Sequence, residues 1–163
     1  MKKIFFMCAA ACLIGLCGCN GGTKQTEVVA DEQTDSLVLS VRDKALLDSI
    51  DGIDGVVKCA SGLRYRIIVE GDGAQPTVES SIVVAYRGLH DDGTPFWISE
   101  DEGEEFALKG TIAGFSEGVG MMHVGSEYVL YIPSTLGYGS KGYPDLIAPD
   151  EPLAYEVKLL EVK

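Results

Sequence analysis

Histidine is scarce in this chain: His90 and His123 are the only two in 163 residues. Neither falls in a spacing that would hold zinc, and both read as surface or loop residues. Cysteine is missing where a disulfide framework would need it. Cys8, Cys12, Cys17 and Cys19 crowd the N-terminus, leaving Cys59 alone beside Ala60-Ser61-Gly62. It reads as a free thiol in a connecting segment, with no histidine in reach to make it a nucleophile. Positive charge is short as well. Thirteen Lys and Arg stand against 25 Asp and Glu, for a net charge of −12, or −14 once Lys2 and Lys3 leave with a leader. Such a surface repels phosphate backbones, which excludes nucleic acid as a partner.

The apolar run from Ile4 to Leu16 is too short to span a bilayer. With Lys2 and Lys3 ahead of it, it has the charge, length and position of a secretory signal. Its end, Leu16-Cys17-Gly18-Cys19, resembles a bacterial lipobox, in which a small residue precedes the cysteine that is acylated and becomes the N-terminus. Cys19 is the expected lipidation site, because Cys17 follows Leu16. The alternative is a plain signal peptide with a chance cysteine. Each buried methylene contributes about 0.8 kcal/mol and two chains suffice to anchor, so the polypeptide needs no membrane-spanning helix.

The expected organisation is a lipoprotein signal peptide over 1–18, a polar flexible tether over 19–35, a short helical lead-in over 36–60 and one domain over 61–163. In the lead-in, Leu39, Leu46, Leu47 and Ile50 predict one helix, with Asp35 as its cap and Gly52 just beyond. The second half of the segment from Gly55 to Ile68 reads as a strand. Ser81 to Gly88 alternates with Ile82, Val84 and Tyr86 on one face; the last strand sets Leu153, Tyr155, Val157 and Leu159 inward against Glu156 and Lys158. Within this β-rich region Phe115, Val119 and Met122 fall on one helical stripe, with Gly125 as a stop. Periodicity thus predicts half-buried antiparallel strands and one helix.

Four motifs in order sharpen this picture. Tyr86-Arg87-Gly88 is followed by Asp92-Gly93-Thr94-Pro95-Phe96; then come Ile112-Ala113-Gly114-Phe115-Ser116-Glu117-Gly118-Val119, the run Ile132-Pro133-Ser134-Thr135-Leu136-Gly137-Tyr138-Gly139, and the ending from Leu153 to Val162. Together they resemble the FKBP family of peptidyl-prolyl isomerases, with the core motif region over 79–163. The resemblance implies an α+β fold, a twisted antiparallel β-sheet wrapped around one short α-helix. Ser61-Gly62-Leu63-Arg64-Tyr65 is similar to an element that precedes the domain in lipoprotein members. Some members dimerise through long N-terminal helices; the lead-in here is too short for that, which points to a monomer.

By the same resemblance, Phe115 is the floor of a substrate pocket, and Tyr86, Phe96, Phe106 and Tyr155 are its walls. Ile112 offers its side chain and backbone N–H, Thr111 sits beside it, Tyr138 supplies a hydroxyl donor, and Tyr143 and Ile147 form the rim. No cofactor or metal is implied, because rotating an X–Pro bond breaks no bond. The expected partners are proline-containing peptides or unfolded clients of the cell envelope, with the anchor on the periplasmic side of the outer membrane. Phe115→Ala and Tyr138→Phe are expected to lower turnover without unfolding the domain.

Two positions depart from the family pattern. Trp97 stands where the family carries a pocket-edge aspartate, which removes a polar partner for Tyr86, and Phe115 replaces a floor tryptophan. These departures keep two alternatives open. One is a non-catalytic peptide-binding or chaperone module; the other is a scaffold whose pocket is closed by Trp97 packed across Tyr86 and Phe115. The acidic run Glu100 to Glu105 reads as a solvated loop that biases the rim towards basic peptides, since its spacing does not match a calcium-binding loop.

Overall fold

Residues 40–163 are described by a computed structural model; the leader, Cys19, the tether, Leu39 and Asp35 lie outside the described residues. Helix α1 spans Val41–Ile50 and is capped by Ser40 rather than Asp35. Ser40 Oγ accepts the Asp43 N–H at 3.0 Å, and the Asp43 carboxylate accepts the Ser40 N–H at 3.1 Å. This reciprocal box satisfies two N–H groups that a helix start otherwise leaves open. Asp43 is also fully buried and receives two bonds of 2.6 Å from Ser134, one from its N–H and one from its hydroxyl.

Leu47 and Ile50 bury the inner face of α1. Just past its end, Asp51 accepts the guanidinium fork of Arg64 at 2.9 and 3.1 Å. Arg64 is itself buried, and it holds the Asp51 carboxyl below the usual carboxylate range. The lead-in is therefore packed onto the same unit as the rest of the described chain.

Strands β1 (Val56–Lys58) and β2 (Arg64–Val69) form a hairpin, so the first half of that segment is a strand as well as the second. The others are β3 (Ser81–Leu89), β4 (Pro95–Ile98), β5 (Glu104–Ala107), β6 (Glu127–Ile132) and β7 (Leu153–Val162). All pairings are antiparallel, in the order β1-β2-β6-β7-β3-β4, with β5 also on β3. Central β7 keeps the expected alternation, with Leu153, Tyr155, Val157 and Leu159 inside and Glu156 and Lys158 outside.

Strand β3 changes partner halfway along. Ser81–Val84 pairs with β5 and Arg87–Leu89 with β4. In the gap, the Tyr86 N–H donates to Ser99 Oγ at 2.8 Å and the Ser99 N–H to the Tyr86 carbonyl at 2.9 Å. Tyr86 is thereby fixed where the sheet edge opens.

Helix α2 (Ala113–Gly120) lies on the inner face, burying Phe115 and Val119, with Met122 buried just beyond its end. It stops at Met121, ahead of the expected Gly125, which instead turns the chain into β6 with φ of 92°. Gly114 and Gly118 face β6, where an added Cβ would come 2.5 Å from Ile132 and 2.6 Å from Leu130. The two glycines bring α2 closer to the sheet than any larger residue allows.

Candidate functional site

Alternation along β3, β4, β5 and β7 turns Tyr86, Phe96, Phe106 and Tyr155 inward, and the first turn of α2 raises Phe115 between them. Their ring centroids lie 5.3 Å (Phe115–Tyr155) to 6.2 Å (Tyr86–Tyr155) apart, mostly edge to face, the arrangement that aromatic quadrupoles favour. The far end of the Phe96 ring sits over Gly88 of β3, where an added Cβ would collide with it.

Tyr86, Phe106 and Tyr155 enclose an open concavity of about 430 Å³ floored by Phe115, with Thr111, Ile112 and Tyr138 at its lip. A second lobe of about 290 Å³ adjoins it, bounded by Phe96, Trp97, Tyr143 and Leu146. Tyr86, Tyr138 and Tyr155 line both lobes. Ile112 is the N-cap of α2, and its N–H has no intramolecular acceptor among the described residues. Tyr138 follows the turn Ser134–Leu136 and packs edge-on against Tyr143 at 5.7 Å.

Trp97 is 47% exposed and borders the outer lobe, while Tyr86 meets Phe115 directly. The pocket is open, which removes the closed-scaffold expectation. Nor does Tyr86 lack a polar partner. Its hydroxyl donates to Glu104 Oε2 at 3.4 Å, and the Trp97 indole N–H donates to Glu104 Oε1 at 3.0 Å.

Reading Glu100–Glu105 wholly as a loop missed this residue, because Glu104 and Glu105 belong to β5. The signal was present: Glu104 stands two positions before Phe106, on the same face of a strand. Burial first, and then the Glu104 carboxylate, push the Tyr86 phenol up to about 12. Burial pushes Tyr155 up further, with the neighbouring Tyr138 and Tyr86 phenols adding to it. Both hydroxyls therefore remain protonated donors at neutral pH.

Ile147 is not on the rim. It is 4% exposed and pairs through its backbone with Tyr143, so it holds the rim residue from behind. His90 is not a free surface group either: its ring lies 5.2 Å from Phe96, and Nδ1 is 2.8 Å from the buried Glu151. No cluster of three or more metal-ligating side chains occurs among the described residues.

A slightly larger depression of about 470 Å³ lies on the outer face of the sheet. It is open and bordered mostly by charged and aliphatic residues, among them Arg66, Arg87, Glu156 and Lys158, with Tyr86 and Tyr128 as its aromatic residues. The inner concavity combines apolar walls with a few aimed donors, which is the anatomy of a ligand site.

Fold and site together define an α+β domain with an aromatic, peptide-sized pocket. Residues 73–160 match the family model described as FKBP-type peptidyl-prolyl cis-trans isomerase. Over 141 residues the chain is 36% identical to a probable FKBP-type peptidyl-prolyl cis-trans isomerase FkpA of Neisseria meningitidis, covering 85% of this chain and 52% of that one. It is 34% identical over 121 residues to the outer membrane protein MIP of Legionella longbeachae, covering 73% and 52%. A crystal structure of a peptidyl-prolyl cis-trans isomerase from Pseudomonas syringae superposes with a TM-score of 0.71 at 30% identity, covering 74% of this chain and 90% of that one. The chain belongs to the FKBP-type peptidyl-prolyl cis-trans isomerase family, and it spans about half the length of the curated relatives it matches.

Proposed function

We propose that this protein is a peptidyl-prolyl cis-trans isomerase acting on exported proteins of the cell envelope. The observation that carries the reading is the open aromatic concavity with a free Ile112 N–H and the Tyr138 ring at its lip. The barrier to rotation about an X–Pro bond, about 18 to 20 kcal/mol, is the lost amide resonance. Tyr86, Phe96, Phe106 and Tyr155 strip water from the amide over the Phe115 floor, and a twisted amide loses less from that than a planar, more polar one. The Ile112 N–H and the Tyr138 hydroxyl donate to the substrate carbonyls and fix the peptide across the pocket. A thousandfold acceleration needs only about 4 kcal/mol of such differential stabilisation.

The test is NMR exchange on Ala-Leu-Pro-Phe peptides with the full chain and Tyr138→Phe. Acceleration is expected, with kcat/KM about three- to tenfold lower in the variant, the effect of one hydrogen bond. A folded protein that leaves exchange at the uncatalysed rate would rule the reading out. Peptide binding without acceleration would instead support a holding module, the reading favoured by the exposed indole of Trp97 beside the outer lobe.

The envelope location rests on the Leu16-Cys17-Gly18-Cys19 pattern and on the outer-membrane name of the Legionella longbeachae relative. In this reading Cys19 is acylated and anchors the domain in the envelope, at the periplasmic side of the outer membrane, where it works as a monomer. Cys19→Ala is expected to abolish palmitate labelling and release the protein from the membrane fraction; labelling that persists would refute that site.

A further inference from the structure

We infer that Glu104 is a positioning residue of the pocket, which fixes the Tyr86 hydroxyl and the Trp97 ring relative to each other across the partner switch of β3. The inference rests on the isomerase reading above. Tyr86 sits in the gap where β3 leaves β5 and joins β4; its backbone is held by Ser99 just beyond β4, and the set of its ring against Trp97 is left to side-chain contacts. Glu104 opens β5 opposite Val84, and Trp97 lies on β4 opposite Gly88. One carboxylate spans the two strand ends, with Oε1 on the indole N–H and Oε2 on the phenol.

The three side chains form a closed set. Glu104 accepts from both rings, and no cation pairs with its carboxylate among the described residues, whereas the neighbouring Glu105 points away and pairs with Lys163. Tyr86 borders both lobes, while Trp97 borders only the outer one. Holding these rings at a set spacing holds the junction of the lobes open, so Glu104 sets the shape presented to the residues flanking the substrate proline. Its side chain acts through Tyr86 and Trp97.

Trp97 is the only tryptophan of the chain, so its emission reports the Glu104 contact whether or not the protein turns over peptide. The experiment compares the full chain, solubilised in a mild detergent, with Glu104→Ala and Glu104→Gln, measuring Trp97 emission, thermal unfolding and exchange on Ala-Leu-Pro-Phe peptides. Glu104→Ala is expected to shift the emission and lower kcat/KM about tenfold with an unchanged melting temperature, because two hydrogen bonds are lost at a partly exposed site. Glu104→Gln keeps one acceptor and one donor in place and is expected to restore most of both signals. Unchanged Trp97 emission in Glu104→Ala overturns the inference, as does unchanged turnover beside an active wild type. An inactive wild type removes the isomerase reading alone; the emission of the two variants then decides the role of Glu104.

Discussion

A chain cut to begin at Ala60 is expected to lose most of its stability, although the family motifs all lie beyond that point. Leu47 and Ile50 are buried in the intact domain, and exposing or deleting such side chains costs about 1.5 to 3 kcal/mol each. The cut also strands Arg64, 97% of whose surface is buried, without Asp51, and leaves the Ser134 N–H and hydroxyl without the Asp43 carboxylate. Against a total of roughly 5 to 15 kcal/mol for an ordinary domain, these losses are decisive. Asp43→Ala alone tests the Ser134 contacts together with the carboxylate half of the capping box, for which about 1 to 3 kcal/mol is expected. Because Ser134 begins the turn that leads to Tyr138, this variant should also weaken turnover. Urea unfolding of the truncated chain and of Asp43→Ala checks both; a truncated domain with the midpoint of the full chain would mean that α1 is dispensable.

Phe115→Ala carries the second large effect, and it differs from the outcome expected on sequence grounds. Phe115 is 3% exposed, and its ring touches Tyr86, Phe106 and Tyr155 while it belongs to the buried core. Removing a buried phenylalanine costs about 3 to 5 kcal/mol through lost transfer energy and the cavity left behind. The variant is therefore expected to unfold several degrees or more below the wild type, so a loss of turnover in it reports folding as well as the pocket. Differential scanning calorimetry decides this, and a shift of less than about 2 °C would show that the site collapses to fill the void. Tyr138→Phe, which keeps the ring and its packing against Tyr143, is the cleaner probe of the site.

The strands with strict alternation were legible in the sequence. In β3 and β7 each second residue meets the core, so the pattern of apolar and charged residues is the pattern of burial. The stripe Phe115, Val119 and Met122 located α2 for the same reason. Asp43 was not legible as a buried group: a carboxylate two residues into a helix reads as a surface charge, and the Ser134 that satisfies it stands 91 positions away. Glu104 was hidden by its neighbours. Five other residues of the run Glu100–Glu105 are acidic or glycine, and that composition masked the two-residue period joining Glu104 to Phe106. The Trp97 departure read as the loss of a carboxylate because the motif comparison runs position by position, whereas the fold brings a carboxylate back from the next strand.

The sheet has short borders. On one side it ends at β1, three residues long; on the other, the edge of β3 is divided between β4 and β5, four residues each, with Ser99 occupying the gap at Tyr86. A protein that works among unfolded chains is surrounded by extended segments seeking unpaired backbone, and a long bare edge would template their deposition. An incoming segment meets three-residue β1 and then the uncovered end of β2 at Ile67, Ile68 and Val69 on one border, and two four-residue strands on the other. Under the function proposed above, the domain meets its clients through the side-chain pocket, and its divided borders keep short the backbone on which they could seed a fibre.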